Sequence, residues 1–154
     1  YIKKILAQLD SWLMDSSVRK LVLVVKGVET GATLERWMFN CVTPSDENSS
    51  SAGNEGATEL STAAMGKKSI KEVQQEIQAI MRQITASVTF LPLLNEPCSF
   101  DLLVYADPTA SVPAKWEDSD PCIIMKSEEV RLRSFTTQIH SVDAMVHYRV
   151  DDDI

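Results

Sequence analysis

Apolar positions along this chain change their spacing from one stretch to the next. Ile2, Ile5, Leu6, Leu9, Trp12 and Leu13 recur at helical intervals, so residues 1–14 are expected to form a helix with one apolar stripe. Neither a cap residue nor a turn precedes that stripe, so the expectation is a chain lacking its upstream part. Asp15-Ser16-Ser17 breaks the helix. Leu21-Val22-Leu23-Val24-Val25, held between Lys20 and Lys26, is a short continuous apolar run, the mark of a strand buried on both faces. Residues 33–42 alternate instead, with Trp37, Phe39 and Cys41 on one face and Leu34 and Met38 on the other. Gly27 and Gly31 bound the turn between the two runs, and a hairpin is expected.

Residues 44–68 are rich in Ser, Asn, Gly, Glu and Ala and have almost no large apolar side chain. Such a segment cannot bury enough surface to offset its ordering entropy, so a disordered surface loop is expected. Ser69 followed by Glu72 makes a capping box, and Ile70, Val73, Ile77, Ile80, Met81, Ile84 and Val88 follow as a buried stripe. The helix is expected to run to Phe90 and to stop before Pro92, because the residue ahead of a proline avoids helical angles. A strand over 99–105, irregular chain over 111–127 and strands over 129–139 and 145–150 complete the pattern, the last two joined through His140-Ser141-Val142-Asp143. Helices and strands in runs without strict alternation give an α+β class, helices packed on one mostly antiparallel sheet.

The 154 residues suit a single domain. A net charge of −7 leaves no basic excess for phosphate contacts or anionic lipid, so neither nucleic acid nor membrane is expected as a partner. No apolar run approaches the roughly 18 residues of a membrane helix. Cys41, Cys98 and Cys122 are odd in number and lack C-x-x-C spacing, which reads as free thiols in a reducing compartment. The expectation is a soluble intracellular protein.

Little in the sequence suggests catalysis. His140 and His147 both fall on the terminal hairpin, where exposed strand positions are expected, and no G-x-S-x-G elbow surrounds a serine. Metal-ligand spacing is missing, Gly27 and Gly31 carry no Lys-Ser/Thr pair, and Asp151-Asp152-Asp153 reads as a solvated tail. No catalytic residue, metal or cofactor is assigned. A hydrolase built on Cys98 or His140 is the rival from the enzyme class. Partner binding fits better. Arg82 and Gln83 open a surface that runs from polar to aromatic at Phe90 on the long helix. The strand over 99–105 could accept an extended peptide at a sheet edge, and the last third of the chain could repack as a unit.

Several longer stretches resemble the HORMA-domain family, in its spindle-checkpoint branch. They are Leu34-Glu35-Arg36-Trp37, the run from Ile80 through Arg82-Gln83-Ile84-Thr85 to Leu94, Cys98-Ser99-Phe100-Asp101-Leu102-Leu103, Val112-Pro113-Ala114-Lys115-Trp116-Glu117, and Ser127-Glu128-Glu129-Val130-Arg131-Leu132-Arg133-Ser134-Phe135-Thr136-Thr137. The family pattern implies helices on a sheet and a mobile C-terminal safety belt, here residues 107–154 on a core of 1–106. Open, the belt occupies the sheet edge. Closed, it has crossed the sheet and locks a partner peptide as an added strand. The resemblance makes Ser99, Phe100, Asp101, Leu102, Leu103, Val104 and Tyr105 the peptide-binding edge. It puts Trp116, Val130, Leu132, Phe135, Ile139, Val146 and Tyr148 in the belt, and Arg82, Gln83, Phe90 and Arg133 on a face where open and closed conformers pair.

Implied partners are a kinetochore coiled-coil recruiter, the activator of the anaphase-promoting complex, a second copy of the chain, and a remodelling AAA+ ATPase with its adaptor. The implied setting is the nucleus, mitotic kinetochores and cytoplasm. A sibling HORMA adaptor of translesion DNA polymerase shares these mechanics and is the alternative, though the match over 82–94 favours the checkpoint branch. Against the family pattern, a first helix and first strand are lacking, the loop over 44–68 is longer, and the tail is more acidic.

Overall fold

A computed structural model describes residues 1–43 and 68–150. Apart from Lys68, the loop expected to be disordered lies outside these residues. The described elements are α1 (Ile2–Met14), β1 (Val18–Gly27), β2 (Thr33–Val42), α2 (Ile70–Ala86) with a 3-10 turn at Ser87–Thr89, β3 (Cys98–Ala106), β4 (Ser127–Arg131), β5 (Phe135–Thr136) and β6 (Ser141–Arg149). The strands make one sheet in the order β3-β1-β2-β6-β4, with β5 also paired to β6, and every pairing is antiparallel.

Register explains why the β1 run is apolar throughout. Leu23 lies opposite both Trp37 and Leu102, and Trp37 opposite Val146, so these side chains share a face with Leu21, Phe39 and Val104. Val22 lies opposite Met38 and Leu103, and Met38 opposite Met145, on the other face. Both faces are covered. On the first, Leu9 and Trp12 of α1 pack with Val18 and Cys41, joined by Leu21, Leu102, Val104 and Trp116. On the second, Val22, Val24 and Met38 pack with Cys122, joined by Leu103, Tyr105 and Met145. Trp116 and Cys122 are six positions apart in the chain yet belong to cores on opposite sides of the sheet.

The β1–β2 turn is closed by Gly27 N–H to Ala32 O at 3.0 Å, and Gly31 takes φ +67°, which glycine adopts without a Cβ clash. The Glu96 carboxylate holds the same turn, accepting from Glu29 N, Thr30 N and Thr30 Oγ1. These bonds, the Thr30 hydroxyl first, hold its pKa below the usual carboxylate value.

The α2 capping box forms as expected, with Glu72 N–H donating to Ser69 Oγ at 3.2 Å and Ser69 N–H to Glu72 Oε2 at 2.9 Å. The expected buried stripe does not. Ile80 is the buried apolar residue of α2, whereas Ile70 and Val88 are 73% and 72% exposed and Ile77 and Met81 also face outward. Helical spacing reports which side chains share a stripe, not whether another element covers it. Here α2 touches the sheet through polar contacts to the β4–β5–β6 side, and no helix lies over its outer flank among the described residues. Arg133 N–H donates to Gln83 Oε1 at 2.6 Å, Thr136 N–H to Glu76 Oε2 at 3.2 Å, and Lys68 pairs with Glu76.

The terminal strands also differ from expectation. Residues 129–139 do not form one strand, because the chain leaves the sheet between β4 and β5, with Leu132 N–H still bonded to Ala144 O. Ser141, Val142 and Asp143, expected as a connector, begin β6 opposite Val42, Cys41 and Asn40. His140 is not exposed: it is 9% exposed, and burial lowers its pKa.

Candidate functional site

Strand β3 ends the sheet. Its inner flank bonds to β1 from Val18↔Ala106 to Gly27↔Cys98, and among the described residues its outer flank pairs with no strand. A row of unpaired backbone N–H and C=O groups is a template for another strand. The expected edge residues Ser99, Phe100, Asp101, Leu102, Leu103, Val104 and Tyr105 all lie in this strand. Their side chains alternate between the two faces, with Leu102 and Val104 toward α1 and Leu103 and Tyr105 away from it.

Chain 107–126 passes around that flank as a strap. At its root, Asp107 N–H donates to Ser17 O at 2.9 Å, and the Arg19 guanidinium donates to both carboxylate oxygens of Asp107 at 2.7 and 3.3 Å. It then rises along α1, where Trp12 Nε1 donates to Ser111 O at 2.9 Å. The Trp12 and Trp116 rings meet edge to face, with centroids 5.0 Å apart. Beyond Trp116 the strap crosses to the opposite face and seats Cys122 in the second core, turned by a φ of +53° and a bond from Cys122 N–H to Asp120 Oδ1 at 2.7 Å. Lys26 pairs with Asp101 at 3.1 Å on this side, and Asp101, then Cys122, push the Lys26 pKa up.

Between strap and edge lie two cavities that are partly open to solvent. One cavity of about 450 Å³ is lined by Leu102, Leu103, Val104 and Tyr105 on the strand side and by Trp116, Glu117, Asp118, Ser119 and Pro121 on the strap side. A second, of about 470 Å³, continues past Asp101 and Lys115 to Tyr1, Lys4 and Ile5 of the α1 end. The arrangement can accept an extended backbone and enclose it on its far side.

The strap leads into the terminal strands, which lie across the sheet from β3. Strand β6 pairs along β2, and β4 pairs along β6 with Val130 opposite Val146. Val146 is fully buried, Phe135 lies opposite Val142, and Ile139 is largely exposed. Tyr148 Oη donates to Glu128 Oε2 at 2.6 Å, which raises the phenol pKa, and His147 Nε2 lies 2.8 Å from Glu129 Oε2. Of the four residues expected on a pairing face, Gln83 and Arg133 touch each other, Phe90 leans on the Tyr148 ring at 6.2 Å, and Arg82 is exposed.

Sequence reasoning found the strand and Trp116 but missed Trp12, Arg19, Asp107 and Cys122. The Trp12–Ser111 bond spans 99 positions, and no local spacing signals it. Burial pushes the Cys41 thiol up, away from the reactive thiolate, and no cluster of three or more His, Cys, Asp or Glu side chains could hold a metal among the described residues.

The HORMA domain profile matches residues 1–140. The chain belongs to the HORMA domain family, a non-catalytic adaptor family. It is 48% identical over 150 residues to human "Mitotic spindle assembly checkpoint protein MAD2A", covering 97% of this chain and 67% of that protein. The Dictyostelium discoideum protein of the same name is 48% identical over 153 residues, 99% of this chain and 69% of its own length. The fission yeast checkpoint component mad2 is 44% identical over 152 residues, again 98% and 69%. Among solved structures, the crystal structure of the mitotic checkpoint complex contains a chain that superposes with a TM-score of 0.77 at 42% identity, over 97% of this chain and 72% of that one. Caenorhabditis elegans HTP-2, solved bound to a HIM-3 closure motif, shares the HORMA fold with a TM-score of 0.63 at 14% identity, over 94% of this chain and 68% of its own.

Proposed function

We propose that this protein is a spindle assembly checkpoint adaptor that captures an extended partner peptide as an added strand on β3 and retains it beneath residues 107–126. The observation that carries this reading is an end strand with an unpaired outer flank, enclosed by a strap that runs from one face of the sheet to the other. The terminal strands lie on β2 and leave the outer flank of β3 to a ligand, which supports the closed arrangement that the resemblance implies. A guest strand gains backbone bonds worth about 0.5–1.5 kcal/mol each, together with side-chain burial in the two cavities. Returning the belt to β3 would require the β2–β6 ladder to break and remake, so exchange between arrangements is slow even where their free energies are close.

In this reading the guests are peptide segments of the anaphase-promoting complex activator and of the kinetochore coiled-coil recruiter, and sequestering the activator delays anaphase. A second copy of the chain docks at the helix-end face of Arg82, Gln83, Phe90 and Arg133, and an AAA+ ATPase with its adaptor reopens the belt. The work is done in the nucleus, at mitotic kinetochores and in the cytoplasm. The test is hydrogen exchange with and without a peptide from the activator. Binding should slow exchange of the β3 amides that face outward, and ending the chain at about Thr109 should abolish retention. Unchanged β3 exchange, or retention that survives the truncation, would sink the reading. Capture of a translesion polymerase peptide in preference to the activator's would move the protein to the sibling branch.

A further inference from the structure

We infer that Trp12 of α1 is a positioning residue for peptide capture: it is the post on which the strap is fastened, and it sets how long a bound strand is held. The inference rests on the capture reading above. Trp12 is 4% exposed and belongs to the α1-side core with Leu9, Val18 and Cys41, so the body of the domain fixes its ring. From that fixed place it takes two separate points of the strap. Its indole N–H holds the carbonyl of Ser111, and its ring holds Trp116 five residues later. The pair therefore pins a whole turn of the strap ahead of the place where the chain crosses the β3 flank.

The other fixings are of different kinds. The Arg19–Asp107 pair ties the root, where strap and strand are already joined by the chain, so it cannot close the enclosure. Cys122 anchors the far side, after the crossing. Trp12 lies on the near side, and opening the enclosure there requires its two contacts to break. Trp12 lines neither cavity, whereas Trp116 lines both. A captured strand thus touches Trp116 but meets Trp12 only through it. Any effect of Trp12 on release must pass through the strap, which separates fastening from recognition.

The experiment measures dissociation of a fluorescent activator peptide from the full-length protein, chased with unlabelled peptide. Trp12→Phe keeps most of the core ring and removes the N–H, and Trp116→Ala removes the strap's half of the clasp along with its packing on the α1-side core and its cavity wall. Each is expected to speed release about tenfold, the size of effect an edge-to-face aromatic pair or one hydrogen bond supports. The double variant should release faster than either single one, because Trp12→Phe loses the Ser111 bond and Trp116→Ala the ring contact. Trp37→Phe serves as the control. That buried indole bonds Glu35 on the sheet at 2.9 Å, so its loss should lower thermal stability and leave release unchanged. Release at the wild-type rate in Trp12→Phe, or a double variant that releases no faster than Trp116→Ala alone, would overturn the inference. If Trp12→Phe does not fold, the comparison of Trp116→Ala with Trp116→Phe decides, since release restored by the phenyl ring supports the clasp and equal release in both overturns it. A wild-type protein that never retains peptide defeats the capture reading itself, an outcome distinct from either of these.

Discussion

His140 shows how one residue can make this fold sensitive to acid. Its ring is buried at the turn into β6, and Nε2 has no hydrogen-bond partner. Burial favours the neutral ring, so the folded-state pKa lies below the ordinary value of 6.5. A depressed pKa contributes stability that is full above 6.5 and is lost as pH falls through the lower folded value, because the unfolded chain then binds a proton the folded one resists. Urea unfolding at stepped pH below 6.5 should show stability falling, and His140→Gln should flatten that slope. Glu76 responds in a more acid window. Burial pushes its pKa up, but the Lys68 bond, the Thr136 N–H and the Lys68 charge together hold it below the ordinary value of 4.5. Its contribution is present above 4.5 and fades as pH falls through the folded value, so Glu76→Gln should weaken the tie between α2 and β5 at neutral pH and matter less in acid. Val146 has no such dependence. Fully buried in the sheet, opposite Trp37 and Val130, it should cost about 2 kcal/mol on truncation to Ala at any pH, measured by the same unfolding series.

Helix α2 separates what local sequence can and cannot tell. The Ser69–Glu72 box was legible because both halves of the cap lie within four residues of one another, and Ser69→Ala should lower stability by about 1 kcal/mol in thermal unfolding. Burial of the Ile70 and Met81 flank was not legible, since it depends on a neighbour that helical spacing cannot report. In this 154-residue chain, Ile70→Lys and Met81→Lys should each change stability by less than about 0.5 kcal/mol, the range of exposed positions. The β1–β2 hairpin was legible in its face assignments, because a two-residue period puts Trp37 and Cys41 on one face, but the register shift between Val25 and Lys26 beside the turn was not. The terminal strands were less so. Their break between Arg131 and Phe135 follows from bonds to α2, 50 residues away for Gln83.

At the scale of the whole molecule, the identity of β3 as a strand could be read from 99–105, whereas its place at the end of the sheet was expected from the family resemblance and not from spacing, because strand order is set by pairings between distant segments. The strap was visible as proline-bounded irregular chain, yet its path from the Trp116 side to the Cys122 side has no trace in spacing. The proposed pairing face of Arg82, Gln83, Phe90 and Arg133 would draw on the α2 region and the terminal segment together, and Gln83 is already bonded to Arg133. Arg82 points to solvent, so Arg82→Glu should lower the dimer fraction in sedimentation velocity while peptide capture persists. An unchanged dimer would remove Arg82 from that face.

Because the ribbon passes from one side of the sheet to the other around β3, the opening it frames is a closed ring rather than a slot. If capture proceeds as proposed, a linear segment enters end-first, whereas one flanked on both sides by folded domains is too bulky to thread and waits until the ring comes undone. Loading of such a partner should therefore level off at a ceiling set by unbuckling, however much partner is supplied, while a short free peptide keeps loading faster as its concentration rises.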